Sequence, residues 1–397
     1  MTAPLLYLDH AATSWPKEPR VVEAMARALV EPGVAPDRGG GAAGRAAARA
    51  VAVARERVAA LLAVDGPERV TFTLNATDAL NLALKGALRA GDEVVTSTIE
   101  HNSVARPLAR LEAEGGVVVR RVAADRFGRL AAADVLAAVT PRTRLVALSH
   151  ASNVTGLRHP IAAIGAALRT QPIGRRPWLL VDVAQSAGYR PLDEVSSVAD
   201  LLAGAGHKGP GGPLGTGFLW TREGVALRPQ REGGTGSRSE EPLQPNDWPG
   251  ALEAGSPNVP GIVALAVAIE ARLAGGGLAA IAAIAAARTA ATHEFLARLR
   301  ELDAVERFGP DDAPSREPLF PLRVRGYAVA EAAALLESEF AIVQRAGLHC
   351  NPGTHRVLGT APDGTLRLSF GHAPGAAEME RAVEALRELS RAAPSSG

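Results

Sequence analysis

Short apolar runs alternate with helix-forming stretches through the first half of the chain. The runs rich in Val, Leu, Phe and Thr predict strands, and the stretches of Ala, Leu and Arg between them predict helices. The predicted strands are residues 70–74, 93–96, 116–122, 144–148, 178–182 and 201–206, and the predicted helices are residues 77–89, 131–138 and 161–169. Apolar strands that alternate with helices indicate a mainly parallel sheet covered on both faces. The pattern therefore predicts an α/β fold with its ligand site beyond the carboxyl ends of the strands.

The pattern changes after residue 211. Residues 233–260 are rich in Gly, Pro, Ser and Glu without periodicity, which predicts a long functional loop. A long helical region is predicted for residues 261–302. The predicted elements after it are strands over 319–324 and 365–369 and helices over 329–337 and 376–392. We place a domain boundary near residue 260.

Length and charge narrow the class of protein. The chain has 397 residues, with 43 Lys and Arg against 42 Asp and Glu, for a formal net charge of +1. That length suits two or three domains, or one large α/β unit with an added lobe. A balanced charge carries no electrostatic footprint for nucleic acid or an anionic membrane, so we expect neither as a partner.

The sequence predicts no targeting or membrane segment. Residues 1–10 lack a basic region and a long apolar core, which argues against a signal peptide. The most apolar later stretch, residues 261–291, is interrupted by Glu270, Arg272 and Arg288 and by three consecutive glycines. These interruptions argue against a transmembrane helix. We therefore expect a cytoplasmic protein.

Cysteine and lysine are rare in this chain. The single cysteine, Cys350, excludes an intramolecular disulfide framework and any zinc site built from several cysteines, and we predict no metal ligands. Lysine occurs only as Lys17, Lys85 and Lys208. Lys17 lies in a Pro-flanked, surface-like segment, and Lys85 is expected at the exposed end of a helix. Lys208 is therefore the lysine most open to a chemical role.

Lys208 and Asp182 each follow a predicted strand. Lys208 stands beside His207 and flexible glycines, where burial can lower an amine pKa from ~10.4 and give a Schiff-base nucleophile. The alternative is a solvated turn lysine. Asp182 can pair with a protonated pyridine nitrogen, as in pyridoxal phosphate (PLP) enzymes, and its alternative role is a helix N-cap.

Other polar residues stand at similar positions. Ala76 and Thr77 open a predicted helix, where backbone N–H groups and a hydroxyl can bind phosphate. An ordinary Asn or Thr cap explains the same pattern, and the chain has no Walker sequence there. His101 can stack on an aromatic ring or move protons, or it is a structural histidine. Asn153 follows a further strand.

Two candidates lie near the C-terminal end. Cys350 is in a Gly/Pro/His loop, where Arg345 and His349 can favour the thiolate; the alternative is a small buried hydrophobe. A nucleophile that must reach a bound substrate belongs on a mobile loop. Arg367 lies inside an otherwise apolar strand, so it is either paired or placed to bind a carboxylate with bidentate geometry.

Taken together, these motifs resemble the class V aminotransferase family of PLP enzymes, and within it the cysteine desulfurases and selenocysteine lyases. The matching segments run in order along nearly the whole chain. They are residues 7–12, 75–78, 100–103, 152–156, 181–185, 206–208, 253–258 and 345–350.

The resemblance implies an architecture. It implies PLP-dependent transferase fold type I, with a mainly parallel seven-stranded sheet in a large domain and a smaller α+β C-terminal domain. The large, PLP-binding domain would comprise residues 15–260. The small domain would comprise residues 1–14 and 261–397, and it would carry the Cys350 loop.

The resemblance also implies roles around PLP. Lys208 would hold the cofactor covalently and move protons at the substrate Cα. Asp182 would pair with the pyridinium nitrogen, Gln185 would hydrogen-bond the phenolic oxygen, and His101 would stack on the ring and transfer protons. The implied phosphate ligands are the Ala76 backbone, Thr77, His207, and Ser256 of the partner subunit.

The implied substrate is an amino acid, L-cysteine or a close analogue. Asn153, which also contacts the cofactor, would bind its carboxylate together with Arg367 and Arg345. Cys350 would attack the substrate sulfur and leave alanine and a persulfide. The family usually has Ser or Thr at the position of Ala205, so one hydrogen bond to the phosphate is expected to be absent.

The resemblance implies a homodimer with its active site at the subunit interface. Because the chain has no second thiol, sulfur on Cys350 must leave to an external acceptor, for which a sulfur-acceptor protein is one candidate. Two alternatives stay open at this point. One is a related selenocysteine lyase, C–S lyase, epimerase or aminotransferase that does not need Cys350, and the other is a scaffold without cofactor.

Overall fold

The computed structural model describes residues 4–31, 34–36, 41–171, 176–236 and 240–393. The helices are α1 Pro19–Val30, α2 Ala42–Leu62, α3 Ala76–Ala87, α4 Asn102–Gly115, α5 Ala132–Ala137, α6 Ile161–Arg169, α7 Asp193–Val198, α8 Val259–Leu273, α9 Leu278–Arg300, α10 Val329–Phe340, α11 Pro352–Val357 and α12 Ala376–Arg391. The strands are β1 Leu6–Tyr7, β2 Val70–Thr73, β3 Glu93–Ser97, β4 Val118–Val122, β5 Thr143–Ser149, β6 Trp178–Asp182, β7 Leu201–Ala205, β8 Gly217–Thr221, β9 Val305–Arg307, β10 Leu319–Val324, β11 Ile342–Val343, β12 Arg345–Gly347 and β13 Thr365–Ser369.

The central sheet has seven strands in the order β2-β8-β7-β6-β5-β3-β4. Strands β4, β3, β5, β6 and β7 pair in parallel, and β8 is antiparallel to both of its neighbours. This arrangement confirms the predicted α/β fold with a mainly parallel sheet. The strands and helices predicted before residue 206 are present within a few residues of their expected ends.

Apolar side chains cover both faces of this sheet. One buried cluster joins α2, α6 and α8 to the sheet, and another joins α3 and α4 to its opposite face. The layers form because nearly every residue of β5, β6 and β7 is buried, so both faces of these strands must be covered.

The C-terminal part has a four-stranded antiparallel sheet in the order β12-β13-β10-β9. Its core contains the packed rings of Phe295, Phe320 and Phe370, and β1 pairs with β11 beside it. The division into two domains stays a prediction, and α8 packs in the core of the large sheet.

The helical region predicted over residues 261–302 consists of two helices. These helices, α8 and α9, are separated by glycines, of which Gly275 and Gly277 have positive φ values of 81° and 59°. That backbone conformation suits glycine and ends the first helix. In the described part of the chain, no single helix has the length and hydropathy to cross a membrane; α8 and α9 meet those criteria only as a pair bent by 74°.

Candidate active site

A cavity of about 480 Å³ lies at the carboxyl ends of the central strands. It is the position at which parallel sheets place their ligands. The predicted site residues that line it are Ala76, Thr77, His101, Asn153, Asp182, Gln185, His207 and Lys208. The structure thus brings together eight predicted site residues from five separate sequence motifs.

Lys208 follows β7 and its side chain enters the cavity. Burial lowers the Lys208 pKa from 10.5 to about 8, although the charge of Asp182 acts in the opposite direction. The next residue must be small, because a Cβ on Gly209 would lie 2.2 Å from the carbonyl oxygen of Ala187. Lys208 is therefore a partly deprotonated amine near neutral pH, as a nucleophile requires.

Lys17 does not lie in a surface-like segment as the sequence suggests. It is half-buried, and its Nζ donates to Ser14 Oγ at 2.7 Å and to the His207 carbonyl oxygen at 2.9 Å. Thr13 Oγ1 and the Ser14 backbone N–H donate to the same carbonyl, each at 3.0 Å. The segment that follows β1 thus fixes the backbone immediately before Lys208.

Asp182 ends β6 and is 8% exposed. Its Oδ1 accepts a hydrogen bond from the Ala184 N–H at 2.9 Å, and burial raises the Asp182 pKa. The next helix begins only at Asp193, so the alternative role of a helix N-cap is wrong. A buried carboxylate of this kind is stabilised by a cation placed in the cavity.

Thr77 and His207 lie at the part of the cavity formed by α3. Asn75 is the N-cap of α3, with its side chain accepting from the Asp78 N–H at 2.9 Å, and Thr77 Oγ1 lies 2.7 Å from Ser103 Oγ. His207 Nδ1 is buried without a hydrogen-bond partner among the described residues, and burial lowers its pKa to about 4. The ordinary N-cap of α3 is therefore present, and so is an unpartnered ring nitrogen, His207 Nδ1, that suits an anion.

His101 forms the N-cap of α4. Its Nδ1 accepts from the Ser103 N–H at 3.1 Å and lies 2.8 Å from Ser103 Oγ. Burial, together with the charges of Lys208 and Arg345, lowers the His101 pKa to about 4. The ring is therefore neutral at pH 7, with its proton on Nε2.

Gln185 and Asn153 have protein partners as well as positions at the cavity. Gln185 Nε2 donates to the Ala11 carbonyl oxygen at 2.9 Å. Asn153 Nδ2 donates to the His349 carbonyl oxygen at 2.6 Å, and Asn153 Oδ1 accepts from Asn351 at 3.1 Å. Asn153 thus joins the cavity to the segment that carries Cys350.

Cys350 is exposed and lines a second, open groove that shares Thr77, His101 and Ser103 with the cavity. Arg345 Nη2 donates to its Sγ at 3.4 Å. The Cys350 carbonyl oxygen accepts from the Asn102 N–H at 2.9 Å. The predicted mobile loop is therefore a short turn tied to α4 and Asn153, and the alternative of a buried thiol is wrong.

His349 does not favour the thiolate by its charge. Its side chain is buried, and Nε2 lies 3.2 Å from Thr365 Oγ1. Burial and the nearby Arg367 lower the His349 pKa far below its usual range, so the ring stays neutral. Of the two neighbours predicted to act on Cys350, only Arg345 contacts the sulfur.

Arg367 is paired, which was one of its two predicted alternatives, and carboxylate binding stays a prediction. Arg367 is 1% exposed, and Nη1 donates to the Asn153 carbonyl oxygen at 2.9 Å. Nη2 donates to Asp9 Oδ1 at 2.5 Å. The Nε atom is buried without a hydrogen-bond partner among the described residues. Arg367 is thus paired and still has an unused donor.

Ser256 lies outside the cavity of its own chain. It is exposed and lines a separate pocket with Gly215 and Asn258. Glu253, three residues earlier, accepts from both terminal nitrogens of Arg55, at 2.8 and 2.5 Å. This ion pair fixes the segment that presents Ser256.

Asp9 and Glu100 were not assigned a role from the sequence, although both lie in the matching segments. Glu100 accepts from Ser97 Oγ at 2.6 Å and from the Ser149 N–H at 2.9 Å, directly behind the cavity. Burial raises the Glu100 pKa to about 7. The signal for both residues in the sequence is a charged side chain among apolar neighbours.

Comparison with known proteins identifies the family of this chain. The sequence model of the family described as Aminotransferase class-V matches residues 6–382. A probable cysteine desulfurase of Methanothermobacter thermautotrophicus is 32% identical over 97% of this chain and 94% of its own length. A cysteine desulfurase of Cereibacter sphaeroides is 32% identical over 96% of this chain and 94% of its own length.

Solved structures give the same answer for the fold. An apo cysteine desulfurase from Thermococcus onnurineus superposes with a TM-score of 0.88 at 29% identity, covering 98% of this chain and 95% of that one. A cysteine desulfurase from Escherichia coli superposes with a TM-score of 0.83 at 27% identity, covering 98% and 96%. The fold is that of the fold type I PLP-dependent transferases, and the chain belongs to the class V aminotransferase family.

Proposed function

We propose that this chain is a PLP-dependent cysteine desulfurase that converts L-cysteine to L-alanine and leaves a persulfide on Cys350. One observation carries the proposal: the exposed Cys350 thiol, paired with Arg345, stands in a groove that shares Thr77 and His101 with the Lys208 cavity. A nucleophilic thiol beside a guanidinium and next to a depressed-pKa lysine suits sulfur abstraction from an amino acid.

The residues of the cavity fit PLP. Lys208 has the lowered pKa that covalent attachment to an aldehyde needs, and Asp182 is a buried carboxylate suited to a ring cation. The unpartnered His207 Nδ1 and the Thr77 hydroxyl fit an anion such as the phosphate. When bound, PLP draws electrons away from the substrate Cα and thereby eases bond breaking there.

Each residue then has a task in the reaction. The Lys208 amine takes a proton from the substrate Cα and returns it later. His101, neutral at pH 7, would pack beside the ring of a bound cofactor and would donate from Nε2. Arg367, oriented by Asp9 and the Asn153 carbonyl oxygen, would bind the substrate carboxylate, with Asn153 and Arg345 as further donors.

Sulfur transfer balances without an added oxidant. The Cys350 thiolate forms a bond to the substrate sulfur while the bond between that sulfur and the substrate Cβ breaks. The electron pair of the broken bond stays with the carbon fragment, which takes up protons and leaves as alanine. Arg345 donates to the attacking Sγ and so orients it.

A homodimer with its active site at the subunit interface accompanies this proposal. The exposed position of Ser256, held by the Glu253–Arg55 ion pair, supports a contribution to the phosphate site of a partner subunit. A cytoplasmic location stays a prediction.

Mass spectrometry of the protein after incubation with L-cysteine tests the proposal. We expect one additional sulfur on Cys350 and one alanine released for each persulfide formed. A Cys350→Ala variant should retain the PLP absorbance band and lose alanine formation, whereas Lys208→Ala should lose the band. Alanine and sulfide release that survived in Cys350→Ala would instead favour a related lyase, and absence of any PLP band would favour a scaffold.

A further inference from the structure

The open groove at Cys350 is lined by basic and neutral residues. It encloses about 860 Å³ and lies between α3 and α4. Lys85 on α3 and Arg106 and Arg110 on α4 line it, and none of its described lining residues is acidic. Lys85 and Arg106 are exposed and form no ion pair within the described part of the chain. Arg110 pairs with the exposed Glu114 at 2.5 Å.

These cations lie on the two helices that border the groove containing the thiol. Arg106 and Arg110 are four residues apart on α4, and Asn81 and Lys85 have the same spacing on α3, so each pair lies on one helix face. The groove ends at Cys350, where Arg345 adds a further guanidinium. An acceptor thiol that enters along this groove therefore passes the positive side chains before it reaches Cys350.

We propose that this groove docks an acceptor protein whose receiving thiol is flanked by acidic residues. The proposal rests on the proposed function, because the chain has one cysteine and a persulfide on it must be transferred to another molecule. A group of cations on two helices matches several carboxylates at once, which a protein surface offers. Charge complementarity of this kind steers association and selects among partners.

The transfer step is a thiol exchange without net oxidation. The acceptor thiolate attacks the outer sulfur of the Cys350 persulfide and forms a new sulfur–sulfur bond. The bond between Cys350 Sγ and the outer sulfur breaks, and its electron pair stays on Sγ beside the Arg345 guanidinium.

The test uses three synthetic peptides of equal length with a central cysteine, flanked by glutamates, serines or lysines. Holoenzyme is loaded with L-cysteine, and transfer of sulfur to each peptide is timed by mass spectrometry. We expect the glutamate peptide to react about tenfold faster than the serine peptide at low salt, and the lysine peptide to react slowest. The advantage should disappear at high ionic strength, because these charges are exposed.

The double variant Lys85→Gln/Arg106→Gln should bring the glutamate peptide to the rate of the serine peptide, while sulfur loading of Cys350 stays unchanged. The matched control Arg27→Gln/Arg391→Gln removes two exposed arginines from α1 and α12 and should leave all three rates unchanged. Equal rates for the three peptides, or a preference that persists in the Lys85/Arg106 variant, would overturn the proposal.

A small dianionic thiol, mercaptosuccinate, separates a protein acceptor from a small one. If it gained as much as the glutamate peptide, the groove would serve small thiols and the protein partner would be wrong. If Cys350 never acquired sulfur from L-cysteine, the proposed function itself would fail, and this outcome is visible before any peptide is added.

Discussion

Asp9 and Arg367, 358 residues apart in the sequence, form a largely buried, hydrogen-bonded ion pair whose two charges act on the pKa of Lys208 in opposite directions. Asp9 follows β1, and its Oδ1 lies 2.5 Å from Arg367 Nη2. Burial lowers the pKa of Arg367, whereas the negative charge of Asp9 raises it. Asp9 therefore favours the charged form of a buried guanidinium and orients it, which makes Asp9 a positioning residue for the arginine that we propose binds the substrate carboxylate.

Replacing Asp9 should weaken substrate binding more than turnover. In Asp9→Ala the guanidinium loses one charge-assisted hydrogen bond and can turn away, so we expect KM for L-cysteine to rise about tenfold with kcat changed much less. Asp9→Asn keeps an acceptor and should restore part of the loss. Asp363→Ala, an exposed carboxylate just before β13, is the control and should leave KM unchanged. An unchanged KM in Asp9→Ala would contradict the positioning role.

Adding a hydroxyl at position 205 should tighten cofactor binding. Ala205 ends β7 and lines the cavity, yet it offers no donor to a phosphate. Ala205→Ser supplies one, so we expect PLP to dissociate about fivefold more slowly. This change in rate corresponds to about 1 kcal/mol, the contribution of one ordinary hydrogen bond. The rate is measured by loss of PLP absorbance on dilution into a PLP trap. Ala203→Ser, on the same strand but in the apolar core, should bring no gain; a gain there would point to a general effect on β7.

The sequence predicts the part of the site that follows strand ends. Lys208, Asp182, Thr77 and His101 each come directly after an apolar run, and parallel strands bring such positions to one edge. For this reason the order of strands and motifs was enough to place them together. The same rule locates Asn153, although its use in tying the Cys350 segment could not be foreseen.

Contacts between distant parts of the chain could not be predicted. The Arg55–Glu253 and Asp9–Arg367 pairs join residues 198 and 358 positions apart, and no local pattern encodes them. Lys17 was misjudged for the same reason, because its acceptor is the carbonyl of His207.

Several elements were missed for local reasons. In α2 the many alanines blur the difference between the buried and exposed faces, and α4 contains Pro107, which usually argues against a helix. Strand β8 is only five residues long and follows a segment rich in Gly and Pro. Tertiary burial, rather than local preference, determines these elements.

The pH dependence of cofactor capture should report the Lys208 pKa. Only the neutral amine reacts with an aldehyde, and burial lowers the pKa from 10.5 to about 8. In enzyme stripped of PLP, the rate of absorbance growth after PLP addition should therefore rise through a midpoint near pH 8.

A neighbouring carboxylate allows this assignment to be checked. Asp182 raises the Lys208 pKa, so Asp182→Asn should move the midpoint to lower pH. Lys85→Gln removes an exposed lysine and should not move it. A midpoint near the ordinary lysine value in the unmodified enzyme would contradict the account.

Glu100 should make folding stability fall as pH rises from about 4.5 to 7. Its carboxyl is buried behind the cavity, and burial raises its pKa from 4.5 to about 7, with a further contribution from the charge of Asp182. In this window the unfolded chain has released the proton and the folded protein still holds it, so each step up in pH favours unfolding. The shift in pKa corresponds to about 3 kcal/mol of folding stability, which is fully lost above pH 7.

Glu100→Gln keeps an acceptor for the Ser149 N–H and carries no proton to release. We measure the free energy of unfolding by urea denaturation at pH 5 and pH 8. The difference between Glu100→Gln and the unmodified protein should shift in favour of the variant as pH rises. The control Glu23→Gln, at an exposed position on α1, should show no such shift. Parallel pH profiles for the Glu100→Gln variant and the unmodified protein would mean that Glu100 ionises in the folded state as it does in the unfolded one.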